Sequence, residues 1–243
     1  MGGLIGAGER EEPIETGKAM VPSRSPVALR LGKLAEAART GSLDLSGDSG
    51  GVIYVSAGDI VAADSRRTPS LAARTREEEA GSFEWIWLAT EATIDAAMDL
   101  MSVRPRHVRF TEPEEETGPG IPGIPGMALT TLMAEVNRRH RLLEQIAAVL
   151  NPDAAVARTV RLRSRAMRVS DRQWALLMQL GRPRTPRDLA LELGQSVFGT
   201  TIEVYRMLVM DLVSVAGAPA RPAAPAGEAS RIWPGLSFIR ALA

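Results

Sequence analysis

Apolar and polar positions alternate through "GGVIYVSAGDIVAAD", residues 50–64, with a break at Ala57-Gly58-Asp59. A period of two on either side of a glycine-containing break predicts two strands joined as a hairpin. Gly58-Asp59 is expected to supply the positive or tight φ values of the turn, with Ile53, Val55, Ile60 and Val61 lining the faces of the sheet. "SLDLS" alternates in the same way and adds a strand. Before it, "VALRLGKLAEAART" gathers Leu29, Leu31, Leu34, Ala37 and Ala38 mostly on one helical face, and Gly41 follows as a stop. After the hairpin, "TPSLAARTREEEA" reads as a helix with Thr68 as N-cap, Pro69 in the first turn and Gly81 at its end. "SFEWIWL" is expected as a strand with Phe83, Trp85 and Trp87 on one face and Glu84, Ile86 and Leu88 on the other. Apolar residues on both faces ask for helices on both sides of the sheet, or for a partner. "TIDAAMDLMSV" then reads as a helix limited by Pro105.

The pattern turns helical further on. "ALTTLMAEVNRRHRLLEQIAAVL" carries Leu129, Leu132, Val136, Leu143, Ile146 and Leu150 at alternating spacings of three and four. Arg139 falls on the apolar seam between Val136 and Leu143. This helix packs on its own domain or, as the alternative, forms a homodimer seam over 128–150. A basic extended piece, "TVRLRSRAMRV", follows. Ser170 caps a helix through Leu180, and "TPRDLALEL" begins another, with Thr185 as N-cap, Pro186 in the first turn and Asp188 closing a capping box. Gly194 ends it, and "VFGTTIEVYRMLVMDLVSV" gives a third helix running towards a strand. Helix, turn, helix, turn and longer helix over 171–212 is a helix-turn-helix layout of the winged kind.

Breaks in composition divide the chain. Residues 1–26 lack apolar periodicity and are expected to be a disordered arm. "TEPEEETGPGIPGIPG", 111–126, combines acids with repeated Pro and Gly and reads as a linker. Residues 218–243 read as a Pro/Ala spacer with an apolar stub. Two ordered blocks remain. Residues 27–110 make a small α+β, sheet-and-helix domain, and 127–217 a helical, winged-helix-like domain.

Composition removes several function classes. The 243 residues carry a formal net charge of +0 and a pI near 6.8, so no global field favours nucleic acid or an anionic membrane. The absence of cysteine excludes thiol catalysis, disulfides and thiolate-held zinc. His107 and His140 are isolated from each other, and neither a metal nor an organic cofactor is expected. The first twenty residues lack the pattern of a secretory signal, and no apolar run reaches the ~18 residues of a membrane span. The expected location is cytoplasmic.

Local matches to catalytic motifs dissolve on inspection. "GDSGG" at 47–51 resembles the surroundings of a trypsin-like nucleophile, but no histidine lies upstream to complete a triad. Asp59 and Asp64 read as turn aspartates bonding their own backbone, and the "EEE" runs at 77–79 and 114–116 as a solvated helix face and a linker. Neither a dinucleotide-binding nor a Walker-type glycine motif is present. No nucleophile–base constellation remains, and the chain is not expected to be an enzyme.

Gly41, Leu43, Leu45, Gly51, Ile53, Tyr54, Val55, Gly58, Ile60, Val61 and Ala63, followed by Gly81, Ser82, Phe83 and Trp85, fit one string of glycines and alternating apolar positions. Over about 27–110 this string resembles the PATAN domain of bacterial regulators, and the later helical block resembles the winged-helix-like module that can follow it. The chain departs from the PATAN pattern at "RTREEEA", where an apolar motif would stand. The resemblance implies a non-enzymatic adaptor in signal transduction that docks a signalling or regulatory protein. Trp85 and Trp87 are the candidate contacts in the first block. Trp233, Phe238 and Ile239 are those of the terminal stub, which binds a partner or folds back onto a domain groove.

Duplex DNA is the competing partner. Arg161, Arg163, Arg165, Arg168, Arg182, Arg184, Arg187 and Arg206 supply candidate phosphate contacts around the helix-turn-helix. The helix that would read bases offers Thr200, Thr201, Glu203 and Arg206, a thin set, since base readers are usually Arg, Asn, Gln or Lys.

Overall fold

The computed structural model describes residues 24–75, 80–113, 125–160 and 167–216. The amino-terminal arm, the middle of the linker, Arg161, Arg163, Arg165 and the terminal stub with Trp233, Phe238 and Ile239 lie outside the described residues. The fold is mixed α+β. In chain order the elements are α1 (Pro26–Glu36), β1 (Gly41–Ser46), β2 (Gly51–Ser56), β3 (Asp59–Ser65), α2 (Leu71–Arg74), α3 (Phe83–Ser102), β4 (His107–Thr111), α4 (Leu129–Ile146), β5 (Val156–Arg158), α5 (Asp171–Gln179), α6 (Pro186–Leu193), α7 (Val197–Val209) and β6 (Val213–Val215).

The first four strands form one antiparallel sheet in the order β3-β2-β1-β4. Period-two alternation sends Leu43, Leu45, Ile53 and Val55 to one face, where Leu43 sits opposite Ile53. The register shifts between Tyr54 and Val55, so Ile60, Val61 and Ala62 are buried in succession rather than alternately. Ala57 and Gly58 make the hairpin turn, with φ of 49° and 88°. The positive pair is therefore one residue earlier than expected, and Asp59 already belongs to β3. Positive φ at both central residues matches the right-handed twist of the flanking strands. A Cβ on Gly58 would also meet the Ala35 carbonyl oxygen at 2.8 Å.

Two further sequence expectations are corrected. The helix after the hairpin is a single described turn capped by Ser70, not a helix capped by Thr68. "SFEWIWL" is not a strand but the beginning of α3, a 20-residue helix. Ser82 caps it by accepting a hydrogen bond from the Trp85 N–H, and the chain continues as a helix without a break to Ser102. α3 covers the sheet, with Ile94, Ala97, Met98, Leu100 and Met101 in a core shared with Val27, Leu31 and Leu34 of α1.

In the later half the helix caps stand where the sequence places them. Ser170 and Gln173 form a capping box on α5, and Thr185 and Asp188 form one on α6. Gly194 ends α6 with φ 63°, a left-handed cap that a side chain would strain. β5 and β6 pair antiparallel beside these helices, around Leu176, Leu189, Val204 and Met207. α4 belongs to both cores. Leu132 and Val136 lie in the sheet core, Ile146 lies in the helical core, and Leu143 and Phe198 touch both. This helix thus packs against its own chain along most of its length.

Candidate functional site

A heptad seam that contains an arginine must bury it or break. Arg139 is buried, and the reason lies across the fold on α3. Glu91, Asp95 and Asp99 are spaced by four along α3, so one helix face carries three carboxylates through an otherwise apolar stretch. The Arg139 guanidinium donates to Asp95 at 2.9 Å and to Glu91 at 2.6 Å, and back along its own helix to Glu135 at 2.7 Å. Its Cζ lies over the Phe198 ring, 5.1 Å from the ring centre.

Asp95 is the centre of the arrangement, with its side chain 0% exposed. One carboxylate oxygen accepts from Arg139 and from the Ser196 hydroxyl. The other accepts from Arg74 at 2.7 Å and from the Val197 N–H at 2.9 Å. That amide is the first of α7, so the acid also meets the positive end of the helix dipole. A buried carboxylate without such partners would cost several kcal/mol, and here every lone pair is met. Elements α2, α3, α4 and α7 converge on this one side chain.

One turn further on, Asp99 accepts from the Ser65 hydroxyl at 2.7 Å and from Arg187 at 3.2 Å. Arg187 and Arg67 both also clasp Asp153. Burial would raise the Asp153 pKa, but hydrogen bonds and charge from Arg187 and Arg67 outweigh it and hold the group below its ordinary value. Glu135 is drawn down to about 2, chiefly by its paired hydrogen bonds from Arg138 and then by Arg139. Arg139 and Arg187 are shifted the opposite way: burial alone would lower them, and their carboxylate partners raise them. A cleft of about 290 Å³ opens beside this joint, floored by Met98 and Leu143 and edged by Arg67, His140 and Asp153. Arg67 and Arg187 on its wall are paired with Asp99 and Asp153. Among the described residues no group of three or more His, Asp or Glu is placed to hold a metal ion.

The joint determines which surfaces remain outside. On α7, Thr200, Thr201 and Glu203 are buried, and Glu203 accepts from Gln173 at 2.7 Å and from Arg206 at 3.2 Å. Three of the four positions offered for reading bases are therefore turned into the protein, and Arg206 is half-buried. Of the candidate phosphate contacts, Arg168 and Arg182 are exposed. Arg184 is ion-paired with Glu192, Arg187 with Asp99 and Asp153, and Arg206 with Glu203. No described helix is long and apolar enough to cross a membrane.

The aromatic residues separate according to helical geometry. Trp85 is 8% exposed and packs inward, whereas Phe83 and Trp87 are 79% and 56% exposed. Four residues apart, Phe83 and Trp87 share one face and project from the first turns of α3, next to exposed Glu84. From Ala92 to Met101 every residue of that helix is buried. A second exposed pair, Trp174 and Met178, lies on α5.

Sequence reasoning had singled out the aromatics and the anomalous Arg139. It missed Glu91, Asp95 and Asp99, although their four-residue spacing within "EATIDAAMD" was a readable signal of a polar seam on a buried helix. Comparison with known protein families, with curated proteins and with solved structures finds no match to this chain.

Proposed function

We propose that the protein is a non-enzymatic adaptor of the PATAN-like kind, which docks a regulatory protein through the first two turns of α3. The observation that carries this reading is the exposure of Phe83 and Trp87, one turn apart, at the start of a helix that is buried from Ala92 to Met101. Exposed aromatics placed i, i+4 on a rigid helix lose little conformational entropy on binding and are the residue types that dominate protein interfaces. The remainder of α3 is anchored by the sheet core and by the Asp95 joint. A cytoplasmic setting and a signalling role belong to the same proposal.

Duplex binding through 171–212 is less well supported by this geometry. Thr200, Thr201 and Glu203 are buried, so among the described residues exposed Arg168 and Arg182 could meet phosphates but these three positions of α7 could not read bases.

Quantitative capture from host cells, with wild-type protein and Phe83→Ser/Trp87→Ser as baits, tests the proposal. Loss of a reproducible regulatory protein from the variant is the expected result. An identical set of captured proteins from both baits contradicts it.

A further inference from the structure

The cleft beside the Asp95 joint is walled by the ends of two long helices. Val103, the C-cap of α3, and Ala147, the C-cap of α4, both line it, and neither helix carries a basic residue in its last turn. The partial negative charge of two helix C-termini therefore meets this space without a cation from its own helix. Met98, Leu143, Pro152 and Val197 complete an apolar lining around about 290 Å³, room for a molecule of about ten non-hydrogen atoms.

The polar groups of the wall narrow the occupant. Arg67 and Arg187 are matched by Asp99 and Asp153, and Asp95 by Arg74, Arg139 and the first amide of α7. The hydroxyls of Thr68 and Ser102 donate to the carbonyls of Ser65 and Met98. Glu144 is left over. Among the described residues its one charged contact is His140, whose Nδ1 lies 3.5 Å from the carboxylate. Arg141, three residues earlier on α4, turns to the Asn137 carbonyl instead. With Nδ1 beside an acid, neutral His140 carries its proton there and offers Nε2 as an acceptor, for which no described residue supplies a donor.

We propose that this cleft binds a small amphipathic amine, with its ammonium group held by Glu144 and His140 at the two helix ends and its apolar body over Met98 and Leu143. Met98 belongs to the sheet core and Leu143 touches both cores, so the occupant bridges the two halves of the fold. Neither Phe83 nor Trp87 lines the cleft, and the inference does not rest on the docking reading.

Ligand titrations of the full-length protein followed by NMR test it, with phenethylamine as the probe, phenethyl alcohol as its neutral counterpart and hydrocinnamate as the anion. The amine should bind at least about tenfold more tightly than the other two, the ratio that a charge-assisted hydrogen bond confers. Nuclear Overhauser contacts from its ring should fall on the methyl groups of Met98 and Leu143 in the wild-type protein. Glu144→Gln alters a side chain more than half exposed and should bring the amine to the level of the alcohol. Ala147→Phe should abolish binding of both by filling the cleft. No saturable binding of the amine, equal affinity for amine and alcohol, a preference for the anion, or ring contacts elsewhere would overturn the proposal. So would an amine preference that survives Glu144→Gln. The wild-type titrations and ring contacts decide between these outcomes even where a variant fails to fold.

Discussion

Arg139 and Asp95 meet at 2.9 Å with side chains 4% and 0% exposed, joining α4 to α3 in the interior of the fold. The pair is not an isolated salt bridge, since Asp95 also holds Arg74 and the first amide of α7. Removing the acid leaves buried Arg74 without its carboxylate and Arg139 with only Glu91 and Glu135. Asp95→Ala should therefore destabilise the protein by about 3–5 kcal/mol. Arg138→Ala, which breaks a half-exposed pair with Glu135, should cost less than about 1 kcal/mol. Urea unfolding of both variants checks the contrast, and similar losses would contradict it.

The same network makes stability depend on acid. Glu135 has its pKa lowered from 4.5 to about 2, and Asp153 is also lowered. A carboxylate with a depressed folded pKa binds protons more readily when unfolded, so its contribution is complete above the unfolded value. The Glu135 contribution should be present above pH 4.5 and decline as pH falls towards about 2. Urea midpoints measured through that window should fall, and Glu135→Gln should make the fall shallower. A slope unchanged by Glu135→Gln would remove the residue from this account.

Helical rather than strand geometry at the start of α3 gives a prediction of its own. Trp85→Ala empties a packed position and should cost about 3 kcal/mol or more. Phe83→Ser and Trp87→Ser alter exposed side chains and should change stability by no more than about 0.5 kcal/mol. Were the segment a strand with all three aromatics on one face, the three substitutions would behave alike. Thermal or urea unfolding of the three variants distinguishes the cases.

That contrast also shows what was legible in the sequence. Phe83, Trp85 and Trp87 satisfy a period of two, but Phe83 and Trp87 equally satisfy i, i+4, and a short apolar run cannot decide between them. The deciding features were Ser82 as a cap and the unbroken helical pattern through "TIDAAMDLMS". The two hairpin strands, the Ser170 cap, the Thr185-Pro186-Asp188 box and the Gly194 stop are each set by neighbouring residues and match the sequence, whereas the turn residues and the Thr68 cap do not. The joint was not read, because the carboxylates that Arg139 meets on α3 lie 44 and 48 residues away and only the tertiary fold brings them together. The seam position of Arg139 announced that a partner was needed without saying where it was.

The hairpin turn can be tested without touching the core. Ala57 holds φ 49°, a left-handed conformation costing a residue with a Cβ about 1 kcal/mol, whereas Gly58 at 88° meets Ala35 closely. Ala57→Gly should be neutral or stabilising by up to about 1 kcal/mol. Gly58→Ala should destabilise by about 1–3 kcal/mol. Reversed signs in thermal unfolding would contradict the turn geometry.

The most direct test of the docking account is photocrosslinking in host cells, with p-benzoylphenylalanine at position 87 in one full-length variant and at 206 in another. Position 87 lies on the exposed face of α3, and 206 on the helix a DNA reader would use. The account predicts a discrete protein adduct from 87 and no DNA adduct from 206. DNA captured from 206, with nothing captured from 87, would contradict it.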